Sequence, residues 1–339
     1  MSMLLEARGV TKVFGSGLFD QKRVVALEDF SMSISSESPS IVAVVGESGS
    51  GKTTLARILL GLETPTVGTI LYEGKNLQTL TRTERHGFRR NVQVVFQDPF
   101  EVYNPFYRVD HVLDTPIVKF GLAKSRSERK VLIEGALEAV GLRPDEILGR
   151  HPHQLSGGQR QRIMVARALL LKPKVIIADE PVSMIDASLR ATVLANLQKL
   201  KDDFGISVIY ITHDLATAFQ ISQNIVVMYS GSVTEVGDVN KVVSDPKHPY
   251  TQLLIGSVPR ADPDLQWGVD NLEASPDVGV KGETYCKFAD RCPHVLSKCV
   301  EKAPPLFQLD SHRGAACYLY EDAPAVDRDA MNSLFVHQS

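Results

Sequence analysis

Eight consecutive residues, Gly46-Glu47-Ser48-Gly49-Ser50-Gly51-Lys52-Thr53, match the pattern G-x-x-x-x-G-K-[ST], and Thr54 follows directly. Glycines at those spacings let backbone N–H groups turn inward around phosphate oxygens, and a helix starting just after them adds the positive end of its dipole. Lys52 then reaches the β and γ phosphates, and the Thr53 hydroxyl is a ligand for Mg2+. The loop follows the apolar run Ile41 to Val45 and precedes a helix-like segment, which is the context it needs. A Gly/Ser-rich turn capping a helix would account for the glycines alone. A second element tips the balance: in Val175-Ile176-Ile177-Ala178-Asp179-Glu180-Pro181 an apolar run meets two carboxylates. A strand ending in acids places them at the carboxyl edge of a sheet, where α/β proteins hold their ligands. Asp179 suits holding Mg2+ through water, and Glu180 suits polarising an attacking water. Phosphoryl transfer asks for little beyond such positioning and charge neutralisation.

A third element is Leu155-Ser156-Gly157-Gly158-Gln159, which opens an apolar helical pattern through Ile163, Val165, Ala166, Leu169 and Leu170. Ser156 can cap that helix and the two glycines bare its first amides, making a second anion site. One ATP needs one phosphate loop, so a second phosphate-facing helix start implies a nucleotide supplied by another subunit. With this L-S-G-G-Q stretch the sequence resembles the ATP-binding cassette (ABC) ATPases of transporters, over about residues 3 to 256 and with the elements in the family's order. The resemblance implies that Phe14 stacks on adenine. It implies that Gln97, in Val95-Phe96-Gln97-Asp98-Pro99, touches metal or water and links the site to the membrane subunits. Asp186, in Ser183-Met184-Ile185-Asp186, takes the D-loop position, with Ile185 where many relatives have Leu. His213, in Ile211-Thr212-His213-Asp214, takes the place of the histidine that senses the γ phosphate and holds Glu180 and water. By themselves, an aromatic beside a strand is more often core and a lone histidine at a strand end is more often a structural hydrogen bonder. The implied nucleotide contacts are thus Phe14, Gly46 to Thr54, Asp179, Asp186 and Ser156 to Gln159. Thr53, Gln97 and Asp179 are the implied Mg2+ set, and Glu180, His213 and Gln97 the catalytic one.

Further residues resemble one branch of that family, the oligopeptide/dipeptide permease ATPases. Asp98-Pro99-Phe100 with Tyr103-Asn104-Pro105 fits its D-P-x-x-x-x-N-P run, and His248-Pro249-Tyr250-Thr251 fits the H-P-Y-T that introduces its C-terminal extension. All four cysteines, Cys286, Cys292, Cys299 and Cys317, fall in one late segment spaced C-x5-C-x6-C-x17-C, unlike the paired C-x2-C of a zinc ribbon. In a reducing compartment such clustering favours a metal or cluster over disulfides. The branch implies a 4Fe-4S cluster on these cysteines, with zinc as competitor and unligated buried thiols as the plain alternative. The resemblance also implies partners: two transmembrane permease subunits, a second ABC ATPase subunit as homodimer or heterodimer, and an extracytoplasmic solute-binding protein. The function it implies is ATP hydrolysis powering an importer of oligopeptides or dipeptides, or of an oligosaccharide or other solute. A soluble ABC protein of DNA repair or translation is the less favoured alternative, since such proteins carry two cassettes or a long coiled coil.

These residues need a scaffold. Short apolar runs at 40–45, 91–96, 174–178, 207–211 and 224–228 alternate with helix-length segments at 52–61, 127–140, 157–171 and 187–203, which predicts a mostly parallel sheet flanked by helices. Leu189, Val193, Leu197 and Leu200 give the last helix one apolar stripe. Leu4 to Ile34 reads as a smaller antiparallel layer. The expected fold is an α/β, ABC-type P-loop core with an antiparallel β subdomain and a helical subdomain at about 98–160. The nucleotide-binding domain is expected at 1–244 and a small cysteine-containing extension at 245–339, with a Pro/Asp-rich linker after Val258.

Composition sets the exclusions. The 339 residues are 43% hydrophobic and 23% charged, ordinary for a globular protein, and the net charge of -3 gives no global field for nucleic acid. The longest apolar run is the six residues Ala315 to Tyr320, against the ~20 that a membrane-crossing helix needs. Glu6, Arg8 and Lys12 interrupt any signal-peptide core between Met1 and Val13. The expected location is therefore the cytoplasmic face of the membrane, as a peripheral protein. Replacing Lys52 with Ala is expected to abolish ATP binding or turnover, and unchanged turnover in an ATPase assay would remove the phosphate-loop assignment.

Overall fold

The computed structural model describes residues 2–15, 23–97, 103–183, 185, 187–258 and 285–336. In chain order its strands are β1 (Met3–Phe14), β2 (Val24–Ser35), β3 (Ile41–Val45), β4 (Val67–Tyr72), β5 (Lys75–Asn76), β6 (Val92–Val95), β7 (Val175–Asp179), β8 (Ser207–Thr212), β9 (Asn224–Tyr229), β10 (Ser232–Asp238), β11 (Leu306–Asp310), β12 (Arg313–Ala315) and β13 (Ala325–Val326). The chain divides into two compact units: residues 1–35, 42–78 and 212–339 form one, and 36–41 with 79–211 form the other.

In the second unit β6, β7 and β8 run parallel, with Val92 opposite Val175 and Val175 opposite Ser207. Every side chain of β7 and β8 is buried, as expected of strands covered on both faces. Helices Asp110–Phe120, Arg126–Ala139 and Gly157–Leu169 pack on one another. They bury Leu113, Ile117, Ile133, Leu137 and Ile163. Ser125 starts the middle one by accepting the Glu128 N–H at 3.1 Å. Helix Ala187–Asp202 buries Val193, Leu197 and Leu200, three members of the expected stripe, together with Leu194. The Leu189 side chain lies outside the described residues.

The first unit holds the expected antiparallel layer, in the order β2-β1-β4-β5. Leu4, Leu5, Val10, Leu27, Phe30 and Ile34 form its buried face. Its other sheet portion carries the expected parallel pairing and adds antiparallel strands at the edge. β3 and β9 are parallel, but β10 turns back antiparallel on β9, and β12, β11 and β13 continue antiparallel from β10. The reason is local. Ser230 and Gly231, the two residues between β9 and β10, both have positive φ (46° and 84°), the geometry of a tight hairpin that permits only antiparallel return. The cysteine-bearing region thus adds three strands to the edge of this sheet.

The H-P-Y-T segment is fastened to β10. Glu235, with no exposed surface, accepts the N–H of Lys247 at 3.0 and 3.1 Å and of His248 at 2.9 Å. His248 then caps helix Pro249–Gly256, its Nδ1 accepting the Tyr250 N–H at 3.0 Å, with proline at the first helical position. Burial pushes the His248 pKa down to about 3, so the ring is neutral and Nδ1 is an acceptor.

Burial also pushes the Glu235 carboxyl up to about 7, against the pull of the N–H donors and Arg313. The folded state therefore holds a proton that the unfolded chain releases near the ordinary glutamate value of 4.5. Stability contributed by this proton is complete below the unfolded pKa and is lost as pH rises through the folded one. Melting temperature should fall between pH 5 and pH 8 in the wild type. Glu235→Gln, which keeps an acceptor without a titrating proton, should flatten that slope; an unchanged slope would exclude Glu235 as its source.

Candidate functional site

β3 is buried along its whole length and delivers the chain at Gly46, where the phosphate loop begins. A side chain is impossible there, because a Cβ would lie 2.1 Å from the Met228 carbonyl oxygen of β9. Gly51 closes the loop with φ at 98°, and a Cβ on it would meet the Ala26 carbonyl oxygen at 2.2 Å. Ser50 N–H turns back to the Glu47 carbonyl at 3.1 Å, and Gly231 N–H braces the Ser50 carbonyl at 3.1 Å. Helix Lys52–Leu59 then starts with no side-chain cap and no acid in its first turn. Its amides and dipole are therefore open to an anion.

Lys52 is 6% exposed, and its ammonium donates to the Gly46 carbonyl at 2.7 Å, the Glu47 carbonyl at 2.8 Å and the Ser50 hydroxyl at 3.4 Å. A cation so sunk needs such acceptors, since an unpaired buried charge is costly. Ser48, Gly49 and Thr53 face solvent and Thr54 is half-buried. In the same unit Phe14 ends β1 with 40% of its surface exposed and the Lys12 ammonium 4.8 Å from its ring centroid, so it is not core. His213 is exposed just past β8. Asp214 beside it caps helix Leu215–Ile221 by accepting the N–H groups of Ala216 and Thr217 at 3.0 and 3.3 Å. That cap fixes the backbone from which His213 projects.

The second unit carries the acids and the L-S-G-G-Q element. Asp179 is buried at the end of β7. Glu180 follows with φ at 50°, a left-handed conformation that costs a non-glycine residue about 1–3 kcal/mol. Its N–H donates to the Ile211 carbonyl at 2.8 Å, and its carbonyl accepts the Ser183 hydroxyl at 3.0 Å, so the surroundings hold the strain in place. Ser156 caps helix Gly157–Leu169: its hydroxyl accepts the Gln159 N–H at 3.2 Å while Gln159 Oε1 accepts the Ser156 N–H at 2.9 Å. This leaves the hydroxyl proton of Ser156 to donate outward, beside the amides of Gly157 and Gly158. Gln97 is exposed beyond β6. Asp186 and the Asp98-Pro99-Phe100 stretch lie outside the described residues.

Two contacts in this unit went unread in the sequence. Gln161 Nε2 donates to the Phe96 carbonyl at 3.2 Å, tying the capped helix to the residue before Gln97. The buried Tyr103 hydroxyl donates to the Arg160 carbonyl at 2.9 Å, and burial pushes its pKa up. The Y-N-P run quoted for the branch was the available signal, yet it could not disclose which helix the tyrosine meets.

The cysteines are all in the thiol form, Cys286 half-buried and the others buried. Cys286 N–H donates to the Cys299 carbonyl at 2.8 Å. Burial pushes the Cys286 thiol up to about 12 and Cys317 to about 11, with further upward pressure from the other cysteines' charges. Cys286 and Cys317 therefore resist ionisation, and thiolates at these positions would require a cationic group beside them. Among the described residues, however, no three His, Cys, Asp or Glu side chains converge as a set that would hold a metal ion. The expected cluster therefore has chemically apt donors but no preformed metal-binding group.

Comparison with known proteins identifies a family. The family described as ABC transporter matches residues 27–183, and the one described as oligopeptide/dipeptide transporter, C-terminal region, matches residues 234–299. The chain is 39% identical over 287 residues to a putative oligopeptide transport ATP-binding protein of Bacillus subtilis, covering 84% of this chain and 87% of that one. It is 38% identical over 318 residues to a dipeptide transport ATP-binding protein of Haemophilus influenzae, covering 93% and 96%. Among solved structures it resembles a dimeric bacterial ABC transporter cassette, with a TM-score of 0.61 and 28% identity over 70% of this chain and 99% of that one. It also resembles cbiO1 of Clostridium perfringens, part of an ABC transporter complex, with a TM-score of 0.62 and 25% identity over 72% and 92%.

Proposed function

The chain belongs to the ABC transporter ATPases, in the branch serving oligopeptide and dipeptide transport, and on that premise we propose how its residues hydrolyse ATP to power peptide import. One observation carries the proposal. A chain with a single phosphate loop has a second helix start, capped by Ser156 and bared by Gly157 and Gly158, that is equally suited to an anion. Two chains would then enclose two ATP molecules, each between the loop of one and Ser156 to Gln159 of the other. The likeness to a dimeric cassette supports this reading.

In this reading residues 1–244 form the nucleotide-binding domain and 245–339 its extension. Lys52 moves from the loop carbonyls to the β and γ phosphates, and Phe14 stacks on adenine. Thr53, Asp179 and Gln97 are the residues that would hold Mg2+, whose charge would offset that of the phosphate oxygens. Glu180 orients and polarises the attacking water while His213 senses the γ phosphate and keeps both in register. Asp186 takes the D-loop role. Because ATP favours the closed pair and its products do not, nucleotide turnover shifts the attached permeases between two states.

Among the described residues no helix is long and apolar enough to cross a membrane, so the chain works from the surface of its permeases, which we place at the cytoplasmic face. Phe106, 86% exposed, and Tyr107 follow the Gln97 region and favour the helical segment as the docking side. A solute-binding protein on the far side would deliver peptides. Reconstitution with two permease subunits should give ATP-dependent peptide accumulation; uptake of oligosaccharide instead would change the solute, and recovery with ribosomes or DNA would overturn the importer. Glu180→Gln should keep ATP affinity, slow hydrolysis by on the order of 10²–10⁴-fold and trap a dimer seen by size-exclusion chromatography. Normal hydrolysis would exclude Glu180 as the water-positioning group.

We further propose a 4Fe-4S cluster on Cys286, Cys292, Cys299 and Cys317, supported by four free cysteines within one segment, which cluster assembly would have to draw together. Protein prepared without oxygen should then absorb in the visible, and Cys292→Ser should bleach it. Colourless protein with stoichiometric zinc would favour zinc, and neither would leave plain thiols.

A further inference from the structure

Glu47, the second residue of the phosphate loop, is gripped at three points within the first unit. Its carbonyl accepts the Lys52 ammonium at 2.8 Å, and its N–H donates to the Tyr250 hydroxyl at 2.9 Å. Its carboxylate accepts two N–H groups of Arg291, at 3.1 and 3.3 Å. Tyr250 belongs to the H-P-Y-T segment, and Arg291 directly precedes Cys292. The C-terminal extension therefore reaches the residue that holds Lys52.

Both contacts are built to be rigid. Tyr250 is fully buried, with its ring 4.6 Å from Tyr229 and 5.6 Å from Phe288. Its helix is set by the His248 cap. The Arg291 guanidinium lies 5.6 Å from the ring centroids of both Tyr229 and Phe288 and donates to the Tyr229 hydroxyl at 3.2 Å. Stacking and a fixed donor reduce the ordering cost of the fork that meets the carboxylate. Yet Glu47 and Arg291 side chains are 43% and 44% exposed, and ion pairs in such surroundings add little to folding stability. Their effect falls instead on the position of the Glu47 peptide, and through it on Lys52. The Tyr250 hydroxyl also occupies the Glu47 N–H, which leaves phosphate to the amides farther along the loop.

We propose that Arg291 and Tyr250 are positioning residues of the nucleotide site, through which the cysteine-bearing extension sets the phosphate loop for ATP. This rests on the reading of Gly46 to Thr53 as the ATP-binding loop.

The test is steady-state ATP hydrolysis by the full-length chain in complex with its permeases. Arg291→Ala should raise the KM for ATP about two- to fivefold, the range expected of one half-exposed charge pair, with kcat and melting temperature little changed. Tyr250→Phe, which keeps the ring but removes the hydroxyl, should shift KM the same way. Arg291→Lys, which keeps a cation over the same rings, should lose less than Arg291→Ala. Wild-type KM in both Arg291→Ala and Tyr250→Phe overturns the proposal. So does a KM rise that comes with a lower melting temperature and is the same in Arg291→Lys as in Arg291→Ala, since that is a folding effect. Lys52→Ala separates the two levels: if it binds ATP normally, the loop assignment itself fails, whatever Arg291 does.

Discussion

A lysine, Lys52, buried to 6% exposure with its ammonium resting on the carbonyls of Gly46 and Glu47 sets the terms for this structure. A buried lysine cation must be matched, and these oxygens match it until phosphate oxygens compete for the same charge. That arrangement requires a loop with no side chain at its entrance, and the Met228 carbonyl 2.1 Å from a notional Gly46 Cβ enforces it. β9 supplies that carbonyl, and the β9–β10 hairpin supplies Gly231, whose N–H braces Ser50 and whose carbonyl accepts the Glu28 N–H at 2.9 Å. Strand burial, hairpin geometry and loop shape are thus one constraint seen at three scales.

The second unit meets a different demand. Glu180 is held in a left-handed conformation by the Ile211 and Ser183 contacts, which fix the backbone from which its carboxylate projects. The capped helix at Ser156 is tied through Gln161 to the residue before Gln97 and through Arg160 to Tyr103. Two hydrogen bonds thus join the stretches on either side of residues 98–102 to the helix that Ser156 caps.

Much of this could be read in the residues. Strand Ile41–Val45 is an uninterrupted apolar run, as is Val175–Asp179 up to its closing acid, because both faces are covered, and the loop glycines announce a backbone that only glycine adopts. Helix Arg82–Asn91 escaped notice because only Phe88 is buried and it offers no apolar stripe; its start was written instead in the Thr81 and Glu84 capping box. The antiparallel return of β10 was hidden in Ser230-Gly231, which no apolar count weighs. H-P-Y-T was recognisable as a branch mark, while its work depends on Glu235, whose place under Lys247 and His248 is a product of tertiary pairing. The cysteine spacing suggested a metal group, but spacing cannot show convergence, and the described residues show none.

The claim that each nucleotide is shared between two chains is tested most directly by mixing two disabled forms. Lys52→Ala chains keep the Ser156 cap but lack the loop lysine; Ser156→Arg chains keep the loop but block the cap. Each should fail alone, whereas the mixture should regain one intact composite site and retain one ATP per pair of chains, measured with labelled nucleotide on isolated dimers. Recovery of no ATP on mixing, or wild-type ATP retention by Ser156→Arg alone, would contradict the account.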